Sequence, residues 1–84
     1  MAKDLQLKQL KRDLGRAVKE LRAIAEITQE ELANRTGLHP TYISDIERGA
    51  RNPSFVVLVR LMRGLEMPVG DLGAAYDRVS NSAG

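Results

Sequence analysis

Residues Thr28 to Pro53 read TQEELANRTGLHPTYISDIERGARNP, and this stretch decides the fold. Thr28 followed three places later by Glu31 is a capping-box pattern, so a helix opens near Gln29. Leu32 and Ala33 face inward from that helix, and Gly37 supplies the left-handed residue that ends a helix sharply. His39 then suits an N-cap and Pro40 the first helical position, where a missing N–H costs little. Small Ala33 lets the second helix cross close by, with Leu38, Ile43 and Ile46 as the apolar contacts beneath the crossing. The segment is therefore two short helices joined by a tight glycine turn.

Wound at ~3.6 residues per turn, the second helix puts Ile43, Ile46 and Glu47 on one side. Thr41, Asp45 and Arg48 lie opposite, with Ser44 and Tyr42 on the flanks. A face of hydroxyls, one carboxylate and one guanidinium offers hydrogen bonds to base edges and has no large apolar residue to bury. A rigid helix held proud of its support fits a B-DNA major groove.

The flanks read as more helices. Leu10, Leu14, Ala17, Val18, Leu21 and Ile24 recur at helical spacing, predicting a first helix from about Leu7 to Ala25, with residues 1–6 extending it or fraying. Gly49 to Pro53 is a loop by its glycine and proline. Ser54 caps a fourth helix carrying Phe55, Val56, Leu58, Val59, Leu61, Met62 and Leu65; Pro68 breaks it, and a short fifth helix spans Val69 to Tyr76. Residues 1–78 make one domain and 79–84 a flexible tail.

Length and composition agree with a compact reader and argue against most rivals. The 84 residues suffice for one modest core, and aromatics at 4% against 43% hydrophobic residues make that core aliphatic. With no cysteine there is neither a disulfide framework nor a thiolate metal site, and a reducing cytoplasm is compatible. No apolar run approaches the ~20 residues that span a bilayer, and the N-terminus is not a signal peptide. Net charge is only +2, but Arg35, Arg48, Arg51, Arg60 and Arg63 face only Asp45 and Glu47 between Arg35 and Arg63.

The strings Thr28-Gln29-Glu30-Glu31-Leu32-Ala33, Gly37, Tyr42-Ile43-Ser44, Ile46-Glu47-Arg48-Gly49 and Arg51-Asn52-Pro53 together resemble the helix-turn-helix of the XRE family, the Cro/repressor-like DNA-binding domains. With the flanking apolar pattern the resemblance covers roughly Asp13 to Tyr76, and it is nearest to short single-domain members such as restriction–modification controller proteins. It implies an all-α, five-helix, lambda-repressor-like domain. It also implies that Gln29 bonds a DNA phosphate and braces the reading helix, and that Arg22 of the first helix pairs with Glu47; periodicity agrees in turning Glu47 inward. Such a buried pair is structural, fixing orientation more than adding stability. Two residues depart from the family pattern. Pro40 stands where similar sequences carry a basic or amide side chain for base contact, and Glu66 stands where relatives usually have glycine, suggesting a different turn before Pro68.

Thr41, Ser44 and Asp45, with Tyr42, are the base-reading candidates; Gln29, Arg35, His39, Arg48 and Arg51 are the phosphate candidates. Some of these have a second reading. Tyr42 either packs half-buried or reaches DNA. Asp45 either accepts from a cytosine N4 amine or orients Arg48 or Arg51. His39, the only histidine, caps a helix or touches a phosphate, and a lone histidine does not make a metal site. One module makes too few base contacts for useful discrimination, so a homodimer on a pseudo-palindromic operator is expected. Phe55, Val59, Met67, Val69, Leu72 and Tyr76 are its candidate seam, unless they merely close the monomer core. No cofactor and no effector domain is expected. An antitoxin or protein-interaction role is the runner-up. An enzyme has little support, since no phosphate loop, metal cluster or nucleophile–base pair is present.

Overall fold

Five helices make up the architecture in the computed structural model, which describes residues 2–82, with side chains from Gln6 onward. They are α1 (Ala2–Ile24), α2 (Gln29–Thr36), α3 (Pro40–Glu47), α4 (Phe55–Gly64) and α5 (Val69–Ser82), and no strand occurs among the described residues. The all-α, five-helix expectation is met.

Local chemistry sets three of the helix starts. Thr28 accepts from the Glu31 amide at 3.0 Å, His39 Nδ1 from Thr41 at 3.1 Å, and Ser54 from Val57 at 3.2 Å, each satisfying an amide the helix itself leaves open. Gly37 ends α2 with φ 76°, and its N–H reaches the Ala33 carbonyl. α1 packs on α3 and α5, α2 on α3 and α4, and α4 on α5. The core between them is aliphatic: Val18 and Leu21 from α1, Leu32 from α2, Ile43 and Ile46 from α3, Leu61 and Met62 from α4, and Leu72 and Val79 from α5.

Gly15 is what lets α1 lie against α3. A Cβ there would collide with the backbone carbonyls of Ile46 and Glu47. The end of α3 therefore rests directly on first-helix backbone.

Leu10 and Ile24 keep the helical spacing and are 52% and 59% exposed. Two expectations are corrected. The fifth helix does not stop at Tyr76, and the tail drawn from residue 79 is helical through Ser82: Val79 is buried against the core and its carbonyl accepts from Arg16 of α1. Residues 83–84 of that tail lie outside the described residues. Finally, the chain leaves α4 through the same left-handed turn a glycine would make, with Glu66 itself at φ 59°.

Candidate nucleic-acid interface

The reading helix is seated by one buried ionic network. The Arg22 guanidinium grips Glu47 with two parallel bonds, Nε to Oε2 at 2.7 Å and Nη2 to Oε1 at 3.0 Å, while its Nη1 donates to the Ile27 carbonyl at 2.9 Å. Glu47 is almost wholly buried, so the pair is bidentate and largely shielded from water. The hydrogen bond that Arg22 donates to Glu47 holds the Arg22 pKa above its ordinary value, against the opposing pull of burial. Gln29 completes the network by donating its amide to Glu47 Oε1 at 2.9 Å. First helix, support helix and reading helix meet on one carboxylate. The Gln29 brace expected from sequence thus exists in the free protein.

On the outside of this anchor, α2 and α3 form an open cleft lined by Thr28, Gln29, Glu30, Pro40, Thr41 and Ser44, with Arg22 at its floor. Thr41 is exposed and Ser44 half-buried, so both hydroxyls stand on the outer side of α3. Pro40 at the first position of α3 contributes shape and no donor. Tyr42 is half-buried, packing one side against the core while its ring lies beneath the Arg51 guanidinium at 5.7 Å. Asp45 accepts from Arg48 and, at 3.3 Å, from Arg51. His39 is exposed and caps α3 through Nδ1, which places the proton of the neutral ring on Nε2, facing away from the cap.

Arg35 does not join this surface. It donates to Glu31 at 3.0 Å and to the Gly64 carbonyl at 3.1 Å, and lies near Glu66. Sequence reading had placed it on phosphates; the structure places it in a separate cleft with Thr36, Arg60 and Arg63, tying α2 to the end of α4. Arg60 returns the tie, donating to the Thr36 carbonyl at 2.6 Å. Each arginine thereby satisfies the open carbonyls at the end of the other's helix. Sequence reading missed this reciprocal capping, and Thr36 with it. The Thr36 hydroxyl donates to Leu32 and accepts from the Leu38 amide, holding the turn into the reading helix.

Of the six seam candidates, Phe55, Val69, Leu72 and Tyr76 come together with Leu14 around an apolar groove. Phe55 is 66% exposed. A second groove, sharing Leu14 and Tyr76, continues along α1 past Leu7 and Leu10. Met67 lies elsewhere, in a cleft with Leu21 and Ile24, and Val59 lines neither groove.

A capped support helix, a left-handed turn and an outward, hydroxyl-bearing second helix define a helix-turn-helix protein. A family profile described as "Helix-turn-helix domain" matches residues 13–75, and the chain belongs to that family. Control protein C.SmaI of Serratia marcescens is 36% identical over 69 residues, 82% of each chain. Control protein C.BamHI of Bacillus amyloliquefaciens is 41% identical over 59 residues, 69% of this chain and 73% of that one. The restriction–modification controller protein C.Esp1396I, solved as a tetramer in complex with its natural 35 base-pair operator, superposes with a TM-score of 0.78 at 33% identity, over 83% of this chain and 92% of that one. In the described residues no helix is long and apolar enough to cross a membrane.

Proposed function

We propose that this protein is a sequence-specific, double-stranded DNA-binding transcription regulator, acting as a homodimer on a pseudo-palindromic operator in the cytoplasm, with no enzymatic activity. One observation carries the reading: the outer side of α3 is open, with Thr41 exposed and Ser44 lining the cleft beside Gln29, while its inner side is locked by Glu47. The likeness to the C.Esp1396I operator complex supports DNA as the partner.

Roles divide by chemistry. Gln29, His39, Arg48 and Arg51 grip phosphates and set register, while Thr41, Ser44 and Tyr42 reach base edges. With Pro40 unable to donate, DNA shape contributes at that end of the helix. The groove around Phe55, Val69 and Tyr76, continued by Leu7 and Leu10, is the apolar surface available to a second protomer. A two-fold pairing there doubles the base contacts and sets two half-sites about one helical turn apart.

Selection of bound oligonucleotides from a random pool tests this directly. The expected product is a pair of inverted half-sites whose binding survives excess nonspecific duplex and weakens with salt. Equal affinity for every duplex overturns the proposal.

A further inference from the structure

Asp45 lies beneath two arginines at the edge of the reading helix. Its side chain is only 14% exposed, whereas those of Arg48 and Arg51 are 65% and 57% exposed. Each carboxylate oxygen already has a partner: Oδ1 accepts from Arg48 Nη2 and Oδ2 from Arg51 Nε. Arg51 continues the row by lying over Tyr42. The carboxylate is therefore the inner member of the cluster and the guanidiniums are its outer face.

Resting on the DNA-reading function above, we infer that Asp45 is a positioning residue, holding Arg48 and Arg51 ready for the DNA backbone and leaving the bases to Thr41, Ser44 and Tyr42. Three physical arguments support this. A base-reading carboxylate must present an oxygen to a cytosine N4 amine, and here each oxygen already accepts from an arginine and the side chain is mostly covered, so its spare lone pairs are poorly presented. A lone carboxylate facing phosphates repels them, while this cluster carries a net positive charge. Holding two flexible side chains in place before binding lowers the ordering cost at the moment of contact.

The test is oligonucleotide selection with the wild type and with Asp45→Asn, a near-isosteric change that swaps a carboxylate for an amide. The expected result is the same ranked preference at every operator position, with affinities for the best site and for random duplex changed by the same factor. A double-mutant cycle with Arg51→Ala is expected to be non-additive by about two- to fivefold in affinity, as for other exposed ion pairs. In the free protein, the Tyr42 ring and Arg51 Nε–H resonances move on Asp45→Asn while those of Thr41 stay in place. A switch of one base pair per half-site from cytosine toward adenine, which an amide prefers, overturns the inference and leaves the reading function standing. Strict additivity in the cycle also overturns it. A wild-type protein that enriches no sequence removes the reading function itself, and the inference with it.

Discussion

Glu47 is buried and accepts hydrogen bonds from Arg22 and Gln29, while Arg22 keeps one edge on the open α2–α3 cleft, so loss of Glu47 strands a partly buried guanidinium. Breaking a fully buried pair costs about 3–5 kcal/mol, and the partial exposure of Arg22 brings the figure here to about 1–3 kcal/mol. Glu47→Ala is expected to lower stability by roughly that much, read from urea denaturation. A folded-state pKa held above the ordinary arginine value contributes stability that is present below that value and lost only as pH rises through the raised one. The Arg22 contribution is therefore flat through the neutral range, to be checked by melting temperatures between about pH 6 and 9. Thr41 is the opposite kind of residue. Thr41→Ala leaves the melting temperature unchanged and costs about 1–3 kcal/mol of discrimination at one base pair, measurable by competition between operator variants. These roles were legible in the sequence to different depths. Periodicity alone turned Glu47 inward and Thr41 outward. The partner of Glu47 came only from family resemblance, because Arg22 is on another helix and local pattern is silent about it.

At the scale of the element, caps were the most readable feature. Thr28, His39 and Ser54 each bond an amide two or three residues away, so sequence spacing contains the whole interaction. The surroundings of Arg35 were missed for the converse reason. Its partners at Gly64 and Glu66 are distant in sequence, and an arginine near a reading helix looks like a phosphate contact until α4 is placed beside it. Arg35→Ala is accordingly expected to lower thermal stability while leaving the affinity for operator within twofold, a combination that a phosphate contact would not give. The fifth helix was cut short because Ser80, Asn81 and Ser82 have the composition of a tail; Val79 burial and the Arg16 bond come from α1, beyond any local signal. The exit from α4 gives a prediction of opposite sign. A non-glycine residue in the left-handed region costs about 1–2 kcal/mol, partly offset by the extra freedom glycine has in the unfolded chain. Loss of the exposed Arg35–Glu66 contact subtracts a few tenths of a kcal/mol more, so Glu66→Gly should raise stability by about 0.5 kcal/mol, seen as a higher denaturation midpoint with unchanged slope.

For the whole molecule the question is assembly. The grooves flanking Tyr76 collect Leu7, Leu10, Phe55 and Val69, four of the large apolar side chains that the lone protomer exposes. Sequence reading found the α4 and α5 parts of this surface but not Leu7 and Leu10, because helical spacing identifies a face without saying what will cover it. Phe55→Glu tests the proposed dimer. An acid at the first position of α4 suits the helix dipole, so the fold survives while a charge enters the groove. Sedimentation equilibrium is expected to show dimer association weakened at least tenfold, with operator affinity falling alongside. An unchanged dimer would place the seam elsewhere. The salt dependence of operator binding checks the same proposed assembly from the DNA side: Arg51→Ala, carried twice by the proposed dimer, is expected to reduce the log–log slope by about two.

Glu26, leaving α1, has the same left-handed backbone as Glu66, also at φ 59°. Both residues are solvent-exposed and neither lines the α2–α3 cleft. The scaffold therefore holds two places where a single codon change can strengthen it at no expense to recognition. Most substitutions on a binding face weaken a domain of this size, and lineages retargeting α3 to a new operator need slack to absorb that loss. These two glutamates supply the slack, and glycine at either position is the expected companion of an altered α3 in divergent homologues.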